Sequence, residues 1–113
     1  MCSLQEVNQI VEELMDGVSV IFAKGQMETI LFGSYARGDA EKGSDIDVLF
    51  LVDSSREIIM ERNWRLGELA AELLMKYGVL VSPIVENREY FYSNAEVLPF
   101  FRNVDREGVR VSA

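Results

Sequence analysis

The 113-residue chain has no histidine. That removes imidazole acid–base catalysis, the Ser-His-Asp arrangement and imidazole zinc sites from consideration. Cys2 is the only cysteine, so the chain has neither a disulfide framework nor a thiolate metal cluster, and a reducing, cytoplasmic setting is expected. No apolar run approaches the length of a membrane span, and the first residues lack a basic region followed by a short apolar stretch. No membrane association is therefore expected. Basic residues number only 11 against 19 acidic, for a net charge of −8. Direct binding to DNA or RNA, which needs a basic surface, is not expected. An acidic chain can still take up nucleotides whose phosphates are screened by metal ions. It also suits a basic protein partner, because opposite charge speeds encounter. Repeats, linkers and low-complexity segments are absent as well, so residues 1–113 read as one domain with a single modest core.

What is present concentrates in one stretch, from Leu31 to Phe50. Ile46 to Val52 is an apolar, largely β-branched run bounded by Gly43-Ser44 and Asp53-Ser54-Ser55, which reads as a strand. Side chains alternate along a strand, so Asp45 and Asp47 project to the same side. A carboxylate within so apolar a run is costly to ionise unless its charge is compensated. A bound cation is the obvious compensation, and magnesium takes one or two carboxylates together with substrate phosphates. Upstream, Glu28 to Phe32 reads as a short strand ended by Gly33-Ser34. Glycine lets the backbone approach a ligand, while Ser34 can cap a following helical turn and offer its hydroxyl and N–H. A helix N-terminus favours phosphate. The predicted unit is strand, phosphate-binding turn, short helix, and a second strand bearing two metal ligands.

The remaining elements follow from periodicity. Ser3 and Glu6 form a capping box ahead of a helix burying Val7, Ile10, Val11, Leu14, Val18, Ile21 and Phe22, with its end near Lys24-Gly25. Ser54 and Glu57 suggest a second capping box, opening one helix to about Tyr77 with Ile59, Leu66, Leu69, Ala70, Leu73, Leu74 and Tyr77 inward and Gly78 as its C-terminal cap. Val79 to Val85 reads as a third strand in which Pro83 favours an edge or irregular position. Asn87 to Ser93 reads as a short helical turn. A last helix starts near Pro99, buries Phe100, Phe101 and Val104, and ends at Gly108. The expected class is α/β (α+β), in the order α-β-α-β-α-β-α, with helices packed on a small sheet.

Gly33, Ser34, ten intervening residues, then Asp45 and Asp47, together with Ala36-Arg37-Gly38 and Ser44, resemble the signature of the nucleotidyltransferase superfamily of DNA polymerase β. The likeness is strongest to its minimal members. At ordinary residue frequencies the four fixed positions recur by accident in roughly one chain of this length per thousand, so chance is a poor rival. The resemblance extends to the closing segment Leu98–Val109, which is similar to the family's C-terminal helix. It implies a polymerase β palm-like fold with a small mixed sheet. It implies Asp45 and Asp47 as catalytic and magnesium-ligating residues, with two ions when ATP is bound. Gly33, Ser34, Arg37 and Ser44 are implied as nucleotide-binding residues. The implied reaction moves AMP from ATP to a hydroxyl. Minimal members are commonly paired with a small helical HEPN toxin, so the resemblance also implies an antitoxin that modifies a tyrosine of such a partner. Homo-oligomerisation is left open.

Catalytic members usually carry a third carboxylate on the strand after the long helix, where this chain has Ser82. Glu86, two side-chain repeats further on, shares its face if the strand is regular and is the candidate substitute. Ser82 sustains a second reading, a non-catalytic antitoxin or adaptor that binds nucleotide or partner without transfer. A third is a stand-alone enzyme acting on a small molecule.

Overall fold

A computed structural model describes residues 2–22 and 25–111. In chain order the elements are α1 (Leu4–Ile21), β1 (Glu28–Phe32), α2 (Ser34–Arg37), β2 (Ile46–Val52), α3 (Arg56–Arg62), α4 (Trp64–Tyr77), β3 (Val81–Asn87), α5 (Arg88–Asn94), α6 (Pro99–Glu107) and β4 (Val109–Val111). The four strands form one mixed sheet in the order β3-β2-β1-β4. β1 is antiparallel to both β2 and β4, and β3 runs parallel to β2. This is the expected α/β class with a small mixed sheet.

Strand alternation along β2 divides the core in two. Ile46, Val48, Phe50 and Val52 face α1, α3 and α4, whereas Leu49 and Leu51 join Ile30, Phe91, Phe101 and Val104 under α5 and α6. Each such side chain, fully buried, contributes about 1.5–3 kcal/mol. A strand covered on both faces loses its polar alternation, which explains why β2 reads as a continuous apolar run. Asp47 belongs by parity to the same face as Leu49 and Leu51.

The first helix opens as expected. The Ser3 hydroxyl accepts from the Glu6 amide at 3.2 Å while the Glu6 carboxylate accepts from the Ser3 amide at 3.2 Å. The helix ends at Ile21, three residues before the expected Lys24, which lies outside the described residues. There the Arg62 guanidinium donates to the Ile21 carbonyl at 2.7 Å, satisfying an acceptor at the helix end. Gly17, a weak helix former, sits where α1 meets α4: an added Cβ would lie 2.5 Å from a Leu69 methyl carbon.

Five expectations need correction. The long helix is two: α3 is capped by Ser55, not Ser54, and α4 restarts at Asn63, whose carbonyl accepts from the Leu66 amide at 3.0 Å. Ser54 is instead buried, its carbonyl accepting from the Asn87 side chain at 2.9 Å. Leu74 is exposed, because Leu66 and Leu73 define the inward stripe and Leu74 lies about 100° beyond it. Phe100 is likewise exposed, being one residue off the Phe101–Val104 face. The third strand is shifted by two residues to Val81–Asn87, since Gly78 caps α4 with a φ of +68° and the chain needs Val79-Leu80 to turn back. β4 was not expected at all. It extends the order beyond α-β-α-β-α-β-α by adding a strand beside β1.

Pro83 does sit on an edge strand, but the strand is regular: Ser82, Pro83 and Glu86 pair in unbroken parallel register with Asp47, Val48 and Leu51.

The hydroxyl of Thr29 is buried in β1 without a hydrogen-bond partner among the described residues. Replacing it by valine keeps the β-branched shape and removes the orphan, so Thr29→Val is expected to stabilise the chain by about 1 kcal/mol. In thermal unfolding the midpoint should rise by roughly 5 °C.

Candidate nucleotide site

The end of β1 and the start of β2 lie side by side, with Phe32 opposite Asp47. The chain leaves β1 through Gly33 at φ +75°, ψ −155°, a conformation essentially confined to glycine. A Cβ built on Gly33 would stand 2.3 Å from Asp47 Oδ2, so the absence of a side chain also makes room for the carboxylate. Gly33 itself is the N-cap of α2, its carbonyl accepting from the amides of Ala36 (3.1 Å) and Arg37 (3.0 Å). Ser34 is therefore the first helical residue and not the cap expected from its hydroxyl.

Across β2 on the other side, Ser82 pairs with Asp47, and its hydroxyl donates to Asp45 Oδ2 at 3.3 Å. The structure thus brings Gly33, Ser34, Asp45, Asp47 and Ser82 to one end of three adjacent strands. Gly33, Ser34, Arg37 and Asp47 line a cleft of about 400 Å³. Arg37 is exposed and paired with Asp39 at 3.3 Å.

Two expected residues lie elsewhere. Ser44 closes the turn after α2, its hydroxyl accepting from the Glu41 amide at 2.9 Å, and with Lys42 it borders a different depression beside Cys2 and Tyr35. Glu86 is four residues from Ser82 along a regular strand, about 13 Å. It is held by Arg56 at 3.2 Å and by the Asn87 amide at 2.7 Å. Tyr35 packs against the core and its hydroxyl accepts from the Cys2 amide at 3.1 Å.

The far wall of the cleft comes from α6: Phe100, Asn103, Val104 and Glu107, with Phe32 of β1 beneath. The Phe100 and Phe32 rings meet edge to face at 5.5 Å. None of the α6 residues was singled out as a site residue from sequence. The available signal was spacing, because Phe100, Asn103 and Glu107 fall at i, i+3 and i+7, one side of a helix.

Burial raises the Asp47 carboxyl above its ordinary value of 3.8, the neighbouring Asp45 charge raises it further, and Arg37 offsets part of this. Two carboxylates held together without enough cationic neighbours form a donor set that fits magnesium. Among the described residues no group of three or more such ligands occurs, so phosphate oxygens would have to complete the coordination. Because the Asp47 pKa is higher in the fold than in the unfolded chain, its ionisation opposes folding. That penalty is absent below the unfolded value, grows as pH rises through the folded value, and is full above it. Asp47→Asn is therefore expected to raise the melting temperature of the metal-free chain by a few degrees at pH 7. Melting curves should show the gain shrinking as the pH falls toward 4.

Residues 7–106 match the family described as "Nucleotidyltransferase domain". Among similar proteins are two from Methanocaldococcus jannaschii. "Putative protein adenylyltransferase MJ0141" is 33% identical over 106 residues, covering 94% of this chain and 99% of the relative. "Putative protein adenylyltransferase MJ0604" is 43% identical over 79 residues, 70% of this chain and 71% of the relative. Among solved structures, one described as "Crystal structure of the toxin-antitoxin with AMP-PNP" aligns with a TM-score of 0.58 and 26% identity, over 92% of this chain and 70% of that one.

Proposed function

The chain belongs to the nucleotidyltransferase domain family, and from that footing we propose that it transfers AMP from magnesium-bound ATP to a protein hydroxyl, a tyrosine of a small helical HEPN-type toxin for which it acts as antitoxin. The observation that carries the reading is the fit of Gly33 against Asp47, which sets a side-chain-free turn beside that carboxylate. Magnesium held by Asp45 and Asp47 would neutralise phosphate charge and orient the α-phosphate. In this reading the Ser34 amide and hydroxyl and the Arg37 guanidinium would receive the rest of the triphosphate. In the transfer, the acceptor oxygen bonds to the α-phosphorus, the bond to the α–β bridging oxygen breaks, and pyrophosphate departs. The hydroxyl proton passes to solvent, since Ser82 cannot act as a base at neutral pH. A phenol, with a pKa near 10, tolerates that better than an alcohol. The protein relatives named as adenylyltransferases and the toxin–antitoxin neighbour support a protein acceptor.

Ser82 in register with Asp47 favours one competing reading, a non-catalytic antitoxin. Intact mass measurement separates the two. The chain is co-expressed with its partner, and the complex is incubated with ATP and magnesium beside an Asp45→Asn/Asp47→Asn control. A partner mass increased by one or more AMP groups, absent in the control, is the expected result. A stable complex with no added mass would establish the non-catalytic reading.

A further inference from the structure

The two walls of the cleft differ in chemistry. One consists of the Gly33-Ser34 turn, Arg37 and Asp47, and the other of Phe32, Phe100, Asn103 and Glu107. Aromatic faces offer a phosphate nothing, and the Glu107 carboxylate repels it. A triphosphate at the first wall therefore directs the uncharged end of the nucleotide along the second. Phe100 is 42% exposed, a large apolar surface left in water within reach of whatever enters the cleft. Its ring is braced edge-on by Phe32, which is half-buried, so it stands as a fixed platform. Three residues on, one helical turn away, the exposed Asn103 lines the same wall. At about 400 Å³ the cleft is within the range of small-ligand sites.

We propose that α6 is the base-reading wall of the nucleotide site, with Phe100 stacking on the base and Asn103 selecting adenine. Stacking on an aromatic ring is indifferent to base identity and supplies affinity. Selection falls to the asparagine amide. Its oxygen accepts from the adenine N6 amino group while its nitrogen donates to N7. Guanine presents acceptors at both positions, so the same amide leaves one of its own groups facing a like group. The inference rests on the reading of the first wall as a phosphate-and-metal site.

The test measures the affinities of the chain for ATP, GTP and inorganic tripolyphosphate, each with magnesium, by calorimetry. Tripolyphosphate engages the first wall only. Phe100→Ala is expected to weaken ATP and GTP about 10-fold each and leave tripolyphosphate unchanged. Asn103→Ala is expected to weaken ATP about 10-fold and to abolish its advantage over GTP, again without effect on tripolyphosphate. Both residues are exposed, and melting curves check that the variants remain folded. Equal losses for ATP and tripolyphosphate, or no loss for ATP, would overturn the assignment while leaving the first wall intact. Failure of the parent chain to bind any of the three ligands would overturn the phosphate site, and with it the base wall.

Discussion

Alanine at Gly33 is expected to reduce nucleotide transfer by at least about 10²-fold and to lower the melting temperature by on the order of 10 °C. Two independent effects combine. The backbone at φ +75°, ψ −155° lies where a residue with a Cβ is strained by about 1–3 kcal/mol. In a domain of this size each kcal/mol moves the midpoint by several degrees. The new methyl would also overlap Asp47 Oδ2, at 2.3 Å, so relief requires moving either the turn or the carboxylate. A displacement of about 1 Å at reacting groups is enough for a 10²-fold loss. Thermal unfolding and single-turnover assays of AMP transfer check the two halves separately. A variant that melts early yet transfers at the parental rate would show that the turn is structural and that Asp47 is not positioned by it.

The opposite change is expected at Ser82. Aspartate there would stand opposite Asp47 in the sheet and beside Asp45, whose carboxylate the serine hydroxyl now meets at 3.3 Å. Three carboxylates at one sheet end repel one another, so the metal-free Ser82→Asp protein should melt below the parent. With magnesium and ATP present the added group can bind cation and accept the acceptor's proton. The transfer rate should then rise about 10²-fold, at the lower end of what a positioned base supplies. Pyrophosphate release in the presence of the acceptor measures it. An unchanged rate would mean that proton removal does not limit the reaction and that the acceptor's own acidity suffices.

Strands β1 and β2 could be delimited from sequence because turn residues bracket each apolar run, and the Gly-Ser and Asp-x-Asp spacing pointed to the sheet end where the candidate site lies. What could not be read was anything depending on contacts between distant segments. That Gly33 makes room for Asp47 follows from antiparallel pairing of Phe32 with Asp47, which no local pattern encodes. β4 could not be read because Val109-Arg110-Val111 is only three residues long, too short to establish alternation. Yet it is β4 that returns the chain along β1, Val109 opposite Leu31, and so sets the end of α6 over the turn. Without that pairing Phe100 reads as core, by helical spacing beside Phe101. With it, Phe100 overhangs the cleft. The Ser54-for-Ser55 cap is a smaller error of the same kind. Both serines precede the helix, and the burial of Ser54 against Asn87, 33 positions away, decides between them.

Pro83 has a consequence for how the protein behaves when concentrated. β3 is a seven-residue strand at the sheet's margin, and such a margin ordinarily invites another chain to continue the ladder, in the limit as fibrils. Proline at its middle has no amide hydrogen to offer, while the register with β2 stays unbroken on the inner side. The outer side is thus a poor template for sheet growth, only one residue from Ser82. Strand addition by a second copy would crowd the carboxylates of the candidate site. The imino acid at position 83 therefore makes this margin a weaker template for a second chain by withholding a single hydrogen bond.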